Sequence, residues 1–250
     1  MNTANMKLRP KTEEQGLNIL AFDTSSPVLS VVCFRRDGIR SEANLTGPFQ
    51  HSENLLSLID HCLQCLKIDL REIDAFGIGM GPGSFTGLRI GFSCLKGFSL
   101  ACGKPLYGIS SLDLIAEGVS LSEGRLAVIV NARRERIYCA FFQFQNGVGM
   151  RESLEDEVLS IQDLAGKTRG KTVFAGDALR EYGDALRAGN REAEFLEEKF
   201  WYPRVGPLVN LIQGRSKRVK SLNLKSLKPQ YLRLSEAEEK LRAKRICSCR

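Results

Sequence analysis

The amino-acid sequence predicts an α/β fold with mixed β-sheets, arranged as two halves built on one plan. Three observations carry this expectation. Apolar residues switch between continuous runs and helical spacing in the order βββαβαβ over residues 17–107. The sequence from residue 110 onward partly repeats that order. Strand-ending residues recur in like positions, Asp23-Thr24-Ser25 in the first half and Asn131-Ala132-Arg133 in the second. Two similar stretches of about 90 residues fit a duplicated α/β domain.

Taken in order, residues 17–23 (LNILAFD) form a buried strand, because the apolar run is almost unbroken up to Asp23. Residues 28–34 and 39–45 follow at hairpin distance, with Arg35-Arg36-Asp37-Gly38 as the turn. From residue 51 the period changes: Leu55, Leu56, Ile59, Cys62, Leu63 and Leu66 recur at helical spacing, and the helix runs to Lys67. Residues 73–80 return to strand and close on Gly81-Pro82-Gly83-Ser84. A second helix spans residues 85–102, free of proline and stopped by Gly103, and residues 104–107 give a fifth strand. Antiparallel pairing is expected for the first three strands and helical crossovers for the later ones.

In the second half, residues 110–118 read as a helix and 126–131 (LAVIVN) as a buried strand. Residues 137–144 and 150–154 continue a meander, and helices at 158–167 and 178–188 flank a strand at 172–175. Gly206-Pro207 opens a helix over 208–215, after which the segment ending near residue 235 docks back onto the body. The expected organisation is a disordered extension (1–16), a first half (17–109), a second half (110–205), a docking segment (206–235) and a basic tail (236–250).

With 250 residues, 43% hydrophobic and 26% charged, the chain can bury a sizeable core. Its net charge of +7 is uneven: residues 214–250 carry twelve Lys and Arg against three Glu, leaving −2 for everything upstream. A polyanion contact is therefore expected in that segment; the other reading, a solvated charged tail, stays open because no aromatics interleave with the cations. Eight cysteines without an export signal or a membrane-length apolar run point to free thiols and a cytoplasmic location. Cys62 and Cys65 have metal or redox spacing, but no second CxxC faces them.

Several chemistries lack their residues. The two histidines, His51 and His61, are ten positions apart on one helix, ~15 Å at the usual rise, so no histidine metal site and no metal are expected. GxxxxGK[ST], HExxH and GxSxG are absent, and no catalytic residues are assigned. The glycine cluster from Gly77 to Gly87 fails as a dinucleotide fingerprint, since no acidic residue ends the next strand. Two readings of it remain. Gly81 and Gly83, with Ser84 capping the helix, form a loop that could cradle an anion. Alternatively the glycines let the helix pack closely, with Gly87, Gly91 and Cys94 as a small-residue stripe; this reading is preferred because the loop holds no Lys or Arg.

The run GPGSFTGLRIG (residues 81–91), the strand LNILAFDTSS (17–26) and QHSENLL (50–56) closely resemble the bacterial TsaB (YeaZ) family. NARRERIY (131–138) is similar to that family's DAR…VY segment, and PQYLR (229–233) with Glu236-Ala237-Glu238 to its C-terminal signature. The resemblance covers residues 17–238 and implies an actin-like ATPase fold of two RNase H-like domains. It further implies a role in making threonylcarbamoyladenosine in tRNAs that read codons beginning with A, as a non-catalytic paralogue of the transferase TsaD. In TsaD an HxxxH pair holds a metal; here His51 stands at the first place and Leu55 at the second.

On that resemblance the chain is a scaffold with no activity alone, heterodimerising with TsaD through Leu55, Leu56, Ile59, Cys62, Leu63, Leu66, Gly87, Gly91 and Cys94. TsaE joins in a ternary complex, tRNA is reached through the complex, and the isolated chain forms homodimers. Lys217, Arg218, Lys220, Lys225 and Lys228 are the candidate tRNA contacts. No cofactor of its own is expected; Asp23, Thr24 and Ser25 occupy the place of a phosphate loop, and ATP with Mg²⁺ belongs at the interface with TsaD. Asn131 departs from the family's aspartate. The competing reading is an autonomous phosphotransferase, ATPase or peptidase of the same fold.

Overall fold

Residues 19–22 and, apart from Ser30, 28–34 are apolar on both faces, and strands of that kind must be covered twice. In the structure, a computed structural model that describes residues 16–47, 51–168 and 170–232, both faces are covered by helices. The first elements are β1 (Ile19–Asp23), β2 (Val28–Phe34), β3 (Arg40–Thr46), α1 (His51–Leu66), β4 (Ala75–Gly79), α2 (Phe85–Cys102), β5 (Leu106–Ile109) and α3 (Ser111–Glu117). There follow β6 (Gly124–Asn131), β7 (Arg136–Gln145), β8 (Val148–Arg151), β9 (Glu157–Ser160), α4 (Ile161–Lys167), β10 (Thr172–Ala175), α5 (Leu179–Gly189), β11 (Ala193–Phe195), α6 (Gly206–Gln213) and β12 (Lys220–Leu222).

The first sheet has the order β12-β5-β4-β1-β2-β3. β1 pairs antiparallel with β2 and parallel with β4, so Ile19 lies between Phe34 and Ala75. Leu20, Phe22, Val31, Phe76 and Ile78 face α1 and α2, while Ile19, Ala21, Val32 and Ala75 face α6 and Leu114 of α3. The second sheet, β11-β10-β6-β7-β8 with β9 also on β7, repeats the plan: β6 is antiparallel to β7 and parallel to β10. Its two faces pack on α4 with α5 and on α3. Two mixed sheets of matching order are the two RNase H-like halves of the actin-like ATPase fold. No helix among the described residues is long and apolar enough to cross a membrane.

Four elements depart most from the sequence reading. The expected helix at 158–167 is a strand, β9, and then α4; Ser160 caps the helix in a box with Asp163, each accepting the other's backbone N–H, which starts the helix at residue 161. The fifth strand begins two residues later than expected, because the chain leaves α2 through Gly103 in the left-handed region and needs Lys104 and Pro105 to turn. β11 and β12 carry no periodic signal at three residues each and exist through their pairing with β10 and β5.

α1 buries Leu55, Ile59, Cys62, Leu63 and Leu66 against its own sheet, each 7% exposed or less. This corrects the expectation that these five contact a partner. Replacing Ile59, 3% exposed, by glutamate should cost at least about 3 kcal/mol of stability, read as an earlier urea midpoint, because a carboxylate would enter a core without a partner.

Candidate functional site

Asp23 ends β1 beside its parallel neighbour β4, and the glycine loop after β4 decides what surrounds it. The Asp23 carboxylate is fully buried; Oδ1 accepts from Ser25 N at 2.8 Å and Ser25 Oγ at 2.7 Å, and Oδ2 accepts from Ser111 Oγ at 2.6 Å. Burial pushes its pKa up, opposed by the hydrogen bonds from Ser111 and Ser25. Thr24 Oγ1 donates to Gly87 O at 2.7 Å, Ser84 N donates to Ser25 O at 2.6 Å, and His51 Nε2 lies 2.6 Å from Ser26 O. Ser84 caps α2, accepting from Gly87 N at 3.2 Å.

The glycines are what allow this closeness. A Cβ on Gly79 would lie 1.7 Å from Asp23 Oδ2, on Gly83 2.2 Å from Ser25 O, and on Gly87 2.0 Å from Thr24 O. The α2 N-terminus is therefore packed against residues 24–25. The Asp23 carboxylate is thus fully buried and accepts three hydrogen bonds from hydroxyl and amide donors. The matching place in the second half is also occupied. Asn131 N donates to Asp177 Oδ1 at 2.9 Å, Asn131 Nδ2 to Glu181 Oε2 at 2.6 Å, and a Cβ on Gly176 would meet Ile129 O at 2.0 Å. Burial raises the Asp177 pKa. Arg133, Arg134 and Glu135 in the turn between β6 and β7 all have φ between 53° and 61°, a conformation costly for non-glycine residues.

A second cluster, not marked by any motif, joins the halves. Arg151 at the end of β8 donates to Asp113 Oδ2 of α3 at 2.5 Å and to Asp156 Oδ1. Asp156 also accepts from Ser110 Oγ and, at 3.0 Å, from Gln230 Nε2. Arg218 donates to Glu117 Oε1 at 2.5 Å and stands 3.8 Å from Asp113 Oδ1. Arg218 is therefore an internal ion-pair partner, which corrects its expected place among tRNA contacts; Lys217, Lys220, Lys225 and Lys228 are exposed. Burial raises the Asp113 pKa to about 6, against the pull of Arg151 and Arg218.

Of the predicted interface, Gly87 and Gly91 lie buried against Thr24, which removes them from any contact surface, and Cys94 is half-buried. Leu56, 58% exposed, remains, and Leu100 of α2, 71% exposed, is one the sequence reading missed; only burial distinguishes it from its apolar neighbours. Cys62 is buried and Cys65 exposed, so the CxxC pair does not converge. Among the described residues no group of three or more His, Cys, Asp or Glu is placed to hold a metal ion. Residues 233–250, with the whole of the expected basic tail (236–250), lie outside the described residues.

The fold and the packed β1–glycine-loop junction define a protein of the actin-like class. Residues 49–241 match the family model described as TsaD, tRNA N6-adenosine threonylcarbamoyltransferase, and the chain belongs to that family. The chain is also similar to TsaB (YeaZ) proteins. It is 26% identical over 236 residues to the tRNA threonylcarbamoyladenosine biosynthesis protein TsaB of Escherichia coli (strain K12), covering 91% of this chain and all of the relative. It is 26% identical to the TsaB of Bacillus subtilis (strain 168), covering 90% of this chain and 97% of the relative. A Pseudomonas aeruginosa structure described as similar to peptidase YEAZ superposes with a TM-score of 0.73 at 24% identity, over 87% of this chain and all of that one, and shows the fold.

Two measurements check the site. Gly87→Ala should lower stability by about 1–3 kcal/mol in urea unfolding, since the new methyl meets backbone that cannot rotate away. Folded Asp113 keeps its proton to about pH 6, whereas an ordinary aspartate, at 3.8, has lost it. Its contribution is therefore most favourable below pH 4 and declines as pH rises to 6. The stability of the native chain relative to Asp113→Asn should fall across that window and level off above it.

Proposed function

We propose that the chain is a non-catalytic subunit required for forming threonylcarbamoyladenosine on tRNAs that read codons beginning with A, and that it acts by pairing with a TsaD transferase. One observation carries the non-catalytic reading. At the two places where TsaD resemblance would put metal-binding histidines, His51 is held on the Ser26 carbonyl and Leu55 is 1% exposed in the core. The closed carboxylate of Asp23 supports the same reading, because a phosphotransferase or ATPase of this fold needs an open acidic residue at the end of its leading strand. Family membership supports the pathway.

The outer surface of α1 and α2, with Leu56 and Leu100 exposed, is the face offered to TsaD, and two copies use the same face when TsaD is missing. TsaE completes a ternary complex in the cytoplasm, tRNA is reached through that complex, and ATP with Mg²⁺ is held mainly by the partner. The exposed lysines 217, 220, 225 and 228 supply a salt-sensitive contribution to tRNA affinity.

The test is threonylcarbamoyl transfer to unmodified tRNA in a mixture of the threonylcarbamoyl-adenylate synthetase, TsaD, TsaE and ATP, with and without this chain. Transfer should require the chain, which alone should neither transfer nor hydrolyse ATP. Leu56→Glu should weaken TsaD binding at least about tenfold while leaving the urea midpoint unchanged. Transfer at full rate without the chain would sink the proposal; peptidase or kinase activity of the pure chain would establish the competing reading.

A further inference from the structure

Helix α1 separates the two cysteines of the CxxC spacing and gives Cys65 a different neighbour. Cys62 lies in the core, whereas the Cys65 Sγ lies on the surface 3.6 Å from Nε2 of His61, one turn earlier. A tetrahedral zinc ion has Zn–S near ~2.3 Å and Zn–N near ~2.05 Å, which sets a sulfur-to-nitrogen bite of about 3.6 Å. The two atoms already stand at that separation.

We propose that His61 and Cys65 form a two-ligand chelate for a thiophilic divalent cation, zinc or cobalt, on the exposed face of α1. The two residues are the soft ligands that the described surface brings together. His51, the other histidine, is engaged with the Ser26 carbonyl; Cys33 and Cys139 are buried, and Cys94 and Cys102 half-buried. Rigidity favours the site as well: the opposite face of α1 is anchored by Leu55, Ile59, Leu63 and Leu66, so binding orders side chains and no backbone. On binding, the imidazole carries its proton on Nδ1 and donates the Nε2 lone pair to the metal. The Cys65 thiol releases its proton to solvent as the metal–sulfur bond forms, and water fills the remaining coordination positions. The site lies on the outer surface of α1 that the proposed function offers to TsaD, so it is tested on the chain alone.

The experiment is a titration of the reduced, metal-free full chain with Co²⁺, followed by the near-ultraviolet thiolate-to-cobalt absorption band, then by displacement with Zn²⁺. The band should saturate with a single equivalent of Co²⁺. It should weaken at least about tenfold in apparent affinity in both Cys65→Ser and His61→Ala, whose exposed side chains leave the far-ultraviolet circular dichroism unchanged. It should persist when Cys247 and Cys249 are both replaced by serine. Absence of the band in the native chain, its survival in His61→Ala or Cys65→Ser, or its loss with the tail cysteines would each overturn the proposal.

Discussion

Helix α3 has seven residues and six of them are buried, because it must satisfy two sheets at once. Leu114 packs with Ile19 and Ala21 of the first sheet, while Leu112 and Ile115 pack with Leu126 and Phe142 of the second. Each such side chain contributes about 1.5–3 kcal/mol by leaving water. An element shared in this way fixes the placement of one half against the other, and the polar groups around it have to be satisfied inside the protein. Ser111 meets that demand at the helix N-terminus: its backbone donates to Gly81 O at 2.8 Å, and its hydroxyl accepts from Gly81 N and donates to Asp23.

From this constraint follows the closure of the β1 end. Asp23 is held from one side by Ser25 and from the other by Ser111, and the glycines of β4 and its loop bring α2 down onto residues 24–25. In an actin-like fold this is the place where an acidic residue would face a nucleotide. Here the same carboxylate is a buried hydrogen-bond acceptor at the junction of a strand, a loop and the shared helix. That geometry fixes the helices whose outer surface is proposed to meet a partner.

The far end of α3 is tied in a different way. Asp113 and Glu117 meet Arg151 from the second sheet and Arg218 from the chain that returns after α6, and Gln230 reaches Asp156. A charge removed from such a cluster leaves its partner buried and unpaired, which costs more than the pair contributes. The returning segment thus gains both a strand position beside β5 and an ionic anchor, though nothing in its local sequence marks either.

Local sequence defined the βββαβαβ order, the span of α2 and the leading strands, because runs such as LNILAFD and LAVIVN are long, apolar and bounded by turn residues and because residues 85–102 hold no proline and stop at Gly103. The glycine cluster was legible as a tight loop for the same local reason. Which apolar residues of α1 stay exposed was not legible: Leu55, Leu56, Ile59 and Leu63 follow one helical spacing, and only the position of the sheet beneath α1 makes Leu56 the exposed one. Three-residue strands such as β12 exist through pairing, and Arg218 is indistinguishable in sequence from the lysines around it. Tertiary structure decided these points because burial, strand pairing and ion-pair geometry depend on residues as distant in sequence as Asp113 and Arg218, whereas helix and strand spacing depends on neighbours a few positions apart.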